Sequence, residues 1–306
     1  MNRRASNIFR RVSGPQASQR LVDTAEGLEH AQGLDRTIRV ISKAVRRTLR
    51  PGPVKDALHG VPIGHPAHPP LTDVPMGCWM SAAVLDLIPG TRRASRVLVA
   101  AGLAGAVPTA LTGLADWSAL HREQQRVGLV HAAGTATASV LYSASLVARY
   151  QGRDSAGRAL GFAGLSALLA GGYLGGHLAF RQAAGASHAD QVAHLVGLGW
   201  HDLCPASELP DGWPVHRRLG YISLFVLRTG DDIHVLADRC SHLAGPLHQG
   251  RVVTDDNADV CVVCPWHGST FRVRDGSVVH GPATGRQPSF ETRVTDDGLV
   301  QVRPIA

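Results

Sequence analysis

The 306-residue sequence predicts a multidomain chain: a four-helix transmembrane bundle followed by an all-β antiparallel sandwich. Three observations carry that expectation. Residues 97–115, 127–148 and 159–180 contain no charged side chain, and each run approaches the roughly 20 residues an α-helix needs to cross a bilayer. From Trp200 the pattern turns to short strand-like runs such as YISLFVLR and DDIHVLA, parted by turns. Finally, Cys240 with His242 and Cys264 with His267 form two Cys–His pairs on loops between those runs.

Residues 1–58 form a basic N-terminal segment. It holds twelve Lys or Arg against five Asp or Glu, while the rest of the chain balances at nineteen against nineteen. A basic amphipathic arm suits an anionic membrane face or nucleic acid. Phe9 is the one Phe, Tyr or Trp among these cations, so membrane lipid or plain solvation is favoured and nucleic acid is not. Residues 1–20, with Gly14-Pro15, read as disordered. No apolar stretch follows Arg3-Arg4 as a twin-arginine export signal would require. Leu28, Leu34, Ile38, Ile41 and Val45 recur at helical spacing and predict one or two surface helices over 21–49, closed by Pro51 and Pro53.

Residues 60–195 form the expected membrane domain. Its lead-in, GVPIGHPAHPP, is a loop carrying His65 and His68, because a following proline pushes a residue out of the helical region. Spans are expected at 72–89, 96–115, 127–148 and 159–180. The spacings Gly171-x-x-x-Gly175 and Gly172-x-x-x-Gly176 are small faces that let helices approach closely in lipid. Four antiparallel spans bring His65, His68, Asp73, Asp116, His131 and His177 to one side. His131 and His177 would then lie at similar depth on adjacent helices. Ionisable groups at membrane depth are costly and point to a site. These four histidines, His131 and His177 first, are the candidate ligands of a haem b or other metal, against the blander reading of interfacial hydrogen bonding.

Residues 199–306 form the β domain. Its two pairs are mixed, C-x-H and C-x-x-H, whereas structural zinc sites usually draw both thiolates from one knuckle. The mixed pattern suits a [2Fe-2S] cluster with two thiolates on one iron and two imidazoles on the other, with zinc as the alternative. The segments CSHLAGPL and CPWHGSTF resemble the two cluster-binding loops of Rieske ferredoxins. By that resemblance Cys240 and Cys264 hold the inner iron, and His242 and His267 the outer one. Quinol-oxidising Rieske proteins typically join these loops by a disulfide. The matching positions here are Gly245 and Trp266, and Phe271 stands two residues after Ser269 where they tend to place a Tyr. Fewer hydrogen bonds to the cluster lower its potential, which implies the ferredoxin type. Cys261 reads as a buried strand residue, not as half of a C-x-x-C pair.

Residues 60–195 also resemble a bacterial four-helix predicted membrane domain of unknown function, through GHPAHP, TGLADW and GGYLGGHL. The combined expectation is a membrane-anchored, one-electron Rieske carrier in the bacterial inner membrane. Its Rieske domain faces the cytoplasm, and a haem or quinone is its membrane acceptor. Its partners would be a reductase or an oxidase or oxygenase component, with a homo-oligomer compatible. The alternative is a redox-sensing or structural module carrying the same cluster. A complete Rieske oxygenase is not expected, because only His280 follows His267 to build a mononuclear iron site.

Overall fold

The computed structural model describes residues 16–305. Two short helices, α1 (Gln16–Glu29) and α2 (Asp35–Thr48), occupy most of the basic segment. The disordered segment expected over 1–20 falls partly outside the described residues, and residues 16–20 are instead the start of α1. α2 turns Ile38, Ser42 and Val45 inward, at the spacing of one helical face. Both helices pack on the bundle. They are also tied to it by ions: Asp35 pairs with Arg126 at 2.8 Å and Glu26 with Arg181. A third helix, α3 (Pro53–His59), ends at Gly60, whose φ of +88° suits a helix C-terminus.

Four long helices follow: α4 (His68–Asp86), α5 (Arg92–Trp117), α6 (Arg122–Tyr150) and α7 (Asp154–Gly176). α4 begins four residues before the expected span, so His68 is its first residue and not part of an irregular lead-in. Pro69 and Pro70 fall in the first turn, where a missing N–H costs nothing. α4 packs against α5 and α7, and α6 against the same two, so the helices form a ring with α4 and α6 on one diagonal. Two of these stretches, Arg92–Trp117 and Asp154–Arg181, are long and apolar enough to cross a membrane. α6 opens with Arg122, Glu123 and Arg126, and α4 has 19 residues interrupted by Pro75.

One end of the bundle is locked by a buried ion pair. Arg149 donates from Nη1 to Asp86 Oδ1 at 2.8 Å and also reaches Ser95 and Ser145. Arg149 falls one residue past the span expected at 127–148; here it lies inside α6 and is almost fully buried with its partner.

The C-terminal part is a β-sandwich, as expected. A six-stranded antiparallel sheet runs β1 (His201–Pro205), β10 (Leu299–Pro304), β9 (Ser289–Val294), β4 (Asp232–Ala237), β3 (Ile222–Thr229) and β2 (Val215–Leu219). A four-stranded sheet runs β5 (Arg251–Thr254), β6 (Val260–Val263), β7 (Thr270–Arg272) and β8 (Val278–His280). β3 reads as a continuous apolar run because both of its faces are buried. Phe225 and Leu227 face the core shared with Val262 and Phe271, while Leu224 and Val226 face Val300 and Val302.

Candidate metal centre

Two loops meet at one tip of the sandwich. The first joins β4 to β5 and carries Cys240 and His242; the second joins β6 to β7 and carries Cys264 and His267. Each loop is tied by its own backbone. Cys240 N donates to Gly245 O at 2.9 Å and Ala244 N to Cys240 O at 2.8 Å. Cys264 N donates to Ser269 O at 2.8 Å, and Gly268, at φ +81°, returns its N–H to Cys264 O. Both cysteines are buried, with Phe271 fully buried in the same core.

The four expected ligands converge. The Cys240 and Cys264 thiols share a hydrogen bond, and the His242 and His267 rings stand edge to face with centroids 5.1 Å apart. Sharing that proton, together with burial, pushes the Cys240 thiol up. The same bond, helped by the N–H groups of Trp266 and His267, holds Cys264 down to about 7. Burial, then the neighbouring His121, brings His267 down to about 4; burial, then His267, puts His242 well below the usual range. Both rings are therefore neutral near neutral pH, the form that binds metal. Among the described residues no three His, Cys, Asp or Glu close on a single point as one ion would need. Two thiols and two imidazoles arranged in this way fit a two-iron cluster better than a tetrahedral zinc ion.

The surrounding residues explain the departures noted in the sequence. A Cβ at Gly245 would lie 2.8 Å from Cys264 Sγ and 3.1 Å from the Trp266 ring. The indole thus lies across the first loop where a disulfide would otherwise tie the two together. Ser269 is fully buried, accepts from Ala283 N at 3.0 Å and reaches the Cys240 sulfur. Gln287 is a support that the sequence did not reveal. Its Nε2 donates to Ala237 O and Arg239 O, both at 2.7 Å, and its Oε1 accepts from Ser241 N at 2.9 Å. Cys261 lies buried on β6, apart from the site.

The tip faces the helical half. His121, on the turn between α5 and α6, meets the ring of His267 at 5.5 Å and that of Trp266 at 5.3 Å. Asp56 of α3 accepts from His280 Nδ1 at 2.8 Å and Gly281 N at 2.9 Å, and His188 N donates to Ser241 O at 2.8 Å. A cavity of about 230 Å³ lies between the halves, lined among others by His65, Asp116, Ser241, His242 and Pro282. Asp116 bonds the fully buried His59 at 2.7 Å. No local motif marks His121, Asp56 or His59, since each acts on a residue far away in sequence.

The histidines expected in the bundle sort differently. His177 bonds Glu29 of α1 at 2.7 Å from a π-helical turn that continues α7, and it does not face His131. His65 bonds the neighbouring Pro66 carbonyl and lines the cavity. His131 instead meets His68, with ring centroids 6.4 Å apart.

Comparison with known proteins agrees with this division. Residues 199–291 match the Rieske [2Fe-2S] domain, and residues 64–188 match a predicted membrane protein domain, DUF2231. The anthranilate 1,2-dioxygenase ferredoxin subunit of Burkholderia cepacia is 32% identical over 34% of this chain and 90% of its own length. Ferredoxin CarAc of Metapseudomonas resinovorans is 32% identical over 32% of this chain and 87% of its own. A solved complex of reduced oxygenase and oxidized ferredoxin in carbazole 1,9a-dioxygenase aligns at 30% identity over 35% of this chain and 94% of that chain, with a TM-score of 0.31. A score that low supports no argument.

Proposed function

Because the chain belongs to the Rieske [2Fe-2S] family through residues 199–291, we propose that Cys240 and Cys264 hold the inner iron and His242 and His267 the outer one. The protein is then a ferredoxin-type, one-electron carrier held at a membrane by its helical half. The observation that carries this is the convergence of two thiols and two neutral imidazoles on two adjacent loops. When bound, the cluster supplies reversible one-electron storage. The residues do the rest. Ser269 and the N–H groups of Trp266 and His267 point positive dipoles at the cysteine sulfurs. Phe271, with no hydroxyl, keeps that set small. Burial of the tip limits water at the sulfurs.

In this reading α4 to α7 all cross the inner membrane, and the Rieske domain lies on the cytoplasmic side with the basic segment. The redox partner is a reductase or an oxygenase-type component, and the dioxygenase ferredoxin subunit among the relatives supports the latter. The contact of His121 with His267 favours a second reading, in which the membrane half senses the cluster's redox state instead of passing electrons on.

The test is an EPR and optical spectrum of intact, detergent-solubilised protein before and after dithionite. A Rieske-type signal, lost in Cys240→Ser and in His267→Ala, is expected. An iron-replete preparation without that signal overturns the assignment. Sustained turnover with a reductase and an acceptor separates the carrier from the sensor, whose cluster is reduced and stays so.

A further inference from the structure

We propose that His68 and His131 are the two axial ligands of a haem held inside the helical bundle. The two side chains are built alike. His68, at the start of α4, donates from Nδ1 to the Thr109 carbonyl of α5 at 2.9 Å. His131, in α6, donates from Nδ1 to the Gly171 carbonyl of α7 at 2.7 Å. Each ring then rests on a glycine one turn beyond the accepting carbonyl. A Cβ on Gly113 would lie 2.6 Å from His68 Cε1, and one on Gly175 would lie 3.1 Å from His131 Cε1. The same device, imidazole to carbonyl i and ring over glycine i+4, thus occurs once in each helical hairpin.

This construction sets the chemistry of the free nitrogens. A carbonyl only accepts, so each Nδ1 is the donor and each ring leaves its Nε2 as the nitrogen free to bind a metal. Among the described residues neither Nε2 has a hydrogen-bond partner. Fixing the far nitrogen on a carbonyl is how proteins orient a histidine for metal. His68 and His131 sit on diagonal helices, and their rings meet at right angles with centroids 6.4 Å apart. An atom held linearly between two imidazole nitrogens, at bonds of about 2 Å, separates the centroids by roughly 6 Å.

Two ligands are too few for a bare ion, and among the described residues no third His, Cys, Asp or Glu joins them. Haem iron needs no more than two, because its macrocycle fills the remaining positions. The pair differs from the one the sequence suggested, since His177 is engaged by Glu29. The assignment stands on the bundle alone and does not depend on the cluster.

The experiment uses the full-length protein, purified in detergent from cells grown with iron and a haem precursor. Oxidised-minus-reduced spectra and a pyridine haemochrome assay are expected to give about one b-type haem per chain. His68→Ala and His131→Ala should each abolish that band, while His177→Ala and His65→Ala keep it. The Rieske EPR signal, read in the same samples, reports whether each variant has folded. A cluster signal without any haem band overturns this proposal and leaves the electron carrier intact. A haem band that survives both His68→Ala and His131→Ala, or that vanishes in a folded His177→Ala, overturns the choice of ligands. A haem band without a cluster signal would sink the carrier reading and support this one.

Discussion

Replacing Ser269 with Ala tests the cluster environment at one atom. The hydroxyl is fully buried, reaches the Cys240 sulfur and accepts the Ala283 N–H at 3.0 Å. A hydrogen bond to a charged group is worth about 1.5–3 kcal/mol. Reduction adds negative charge at the sulfurs, so the bond tightens in the reduced state, and the variant loses that difference. If about half of the bond is gained on reduction, the loss is ~1 kcal/mol, or roughly 40 mV for a one-electron couple. The midpoint should therefore fall by about 40 mV in an EPR-monitored redox titration. The orphaned Ala283 N–H adds a separate cost of about 1–3 kcal/mol in stability. An unchanged midpoint in a fully loaded variant would refute the role given to the hydroxyl, whatever the melting temperature does.

Gly245→Ala places a methyl 2.8 Å from Cys264 Sγ, and overpacking of that kind costs about 1–3 kcal/mol; iron and labile sulfide per chain should fall severalfold. Arg149→Ala leaves the buried Asp86 carboxylate unpaired and should cost about 3–5 kcal/mol, read as a lower Tm in detergent. Exchanging both partners for apolar residues should recover much of that loss. Asp255 keeps a carboxyl below the usual range: burial opposes this, and the N–H groups of Asp259 and Asn257 with Arg272 outweigh it. Its stabilising effect is present above its ordinary pKa and lost as pH falls below it. Asp255→Asn should therefore flatten the acid limb of unfolding, measured by circular dichroism from pH 5 down to about pH 2.

The β domain and its site were legible because their signals are local. Turns, apolar runs and the C-x-H and C-x-x-H pairs all lie within a few residues of the atoms they position. The helical half was legible only in outline. Charge-free runs located the bundle, but span ends moved because Pro69-Pro70 open a helix and Arg149 continues one. The partner of His131 could not be read from depth alone. His177 and His68 lie at the same end, and Glu29, 148 residues away from His177, decides between them. Gln287, Asp56 and His121 were missed for the same reason: each works through a contact that no spacing encodes.

Those long-range contacts bear on how electrons reach the tip. The two imidazoles proposed for the outer iron face the helical half. Here His267 lies beneath His121, and His242 opens into the cavity shared with His65 and Asp116. On that loop Pro265, Trp266 and Gly268 stay exposed for a soluble partner to touch. The fastening is polar and small, with Asp56 on His280 and Gly281 N and the His188 N–H on the Ser241 carbonyl. Such contacts contribute about 0.5–1.5 kcal/mol each, or somewhat more where a charge takes part. A few of them hold the tip against the helices without locking it there. The sequence that fuses the two halves therefore does more than tether a carrier to a membrane. It fixes which face of the cluster domain meets the bundle.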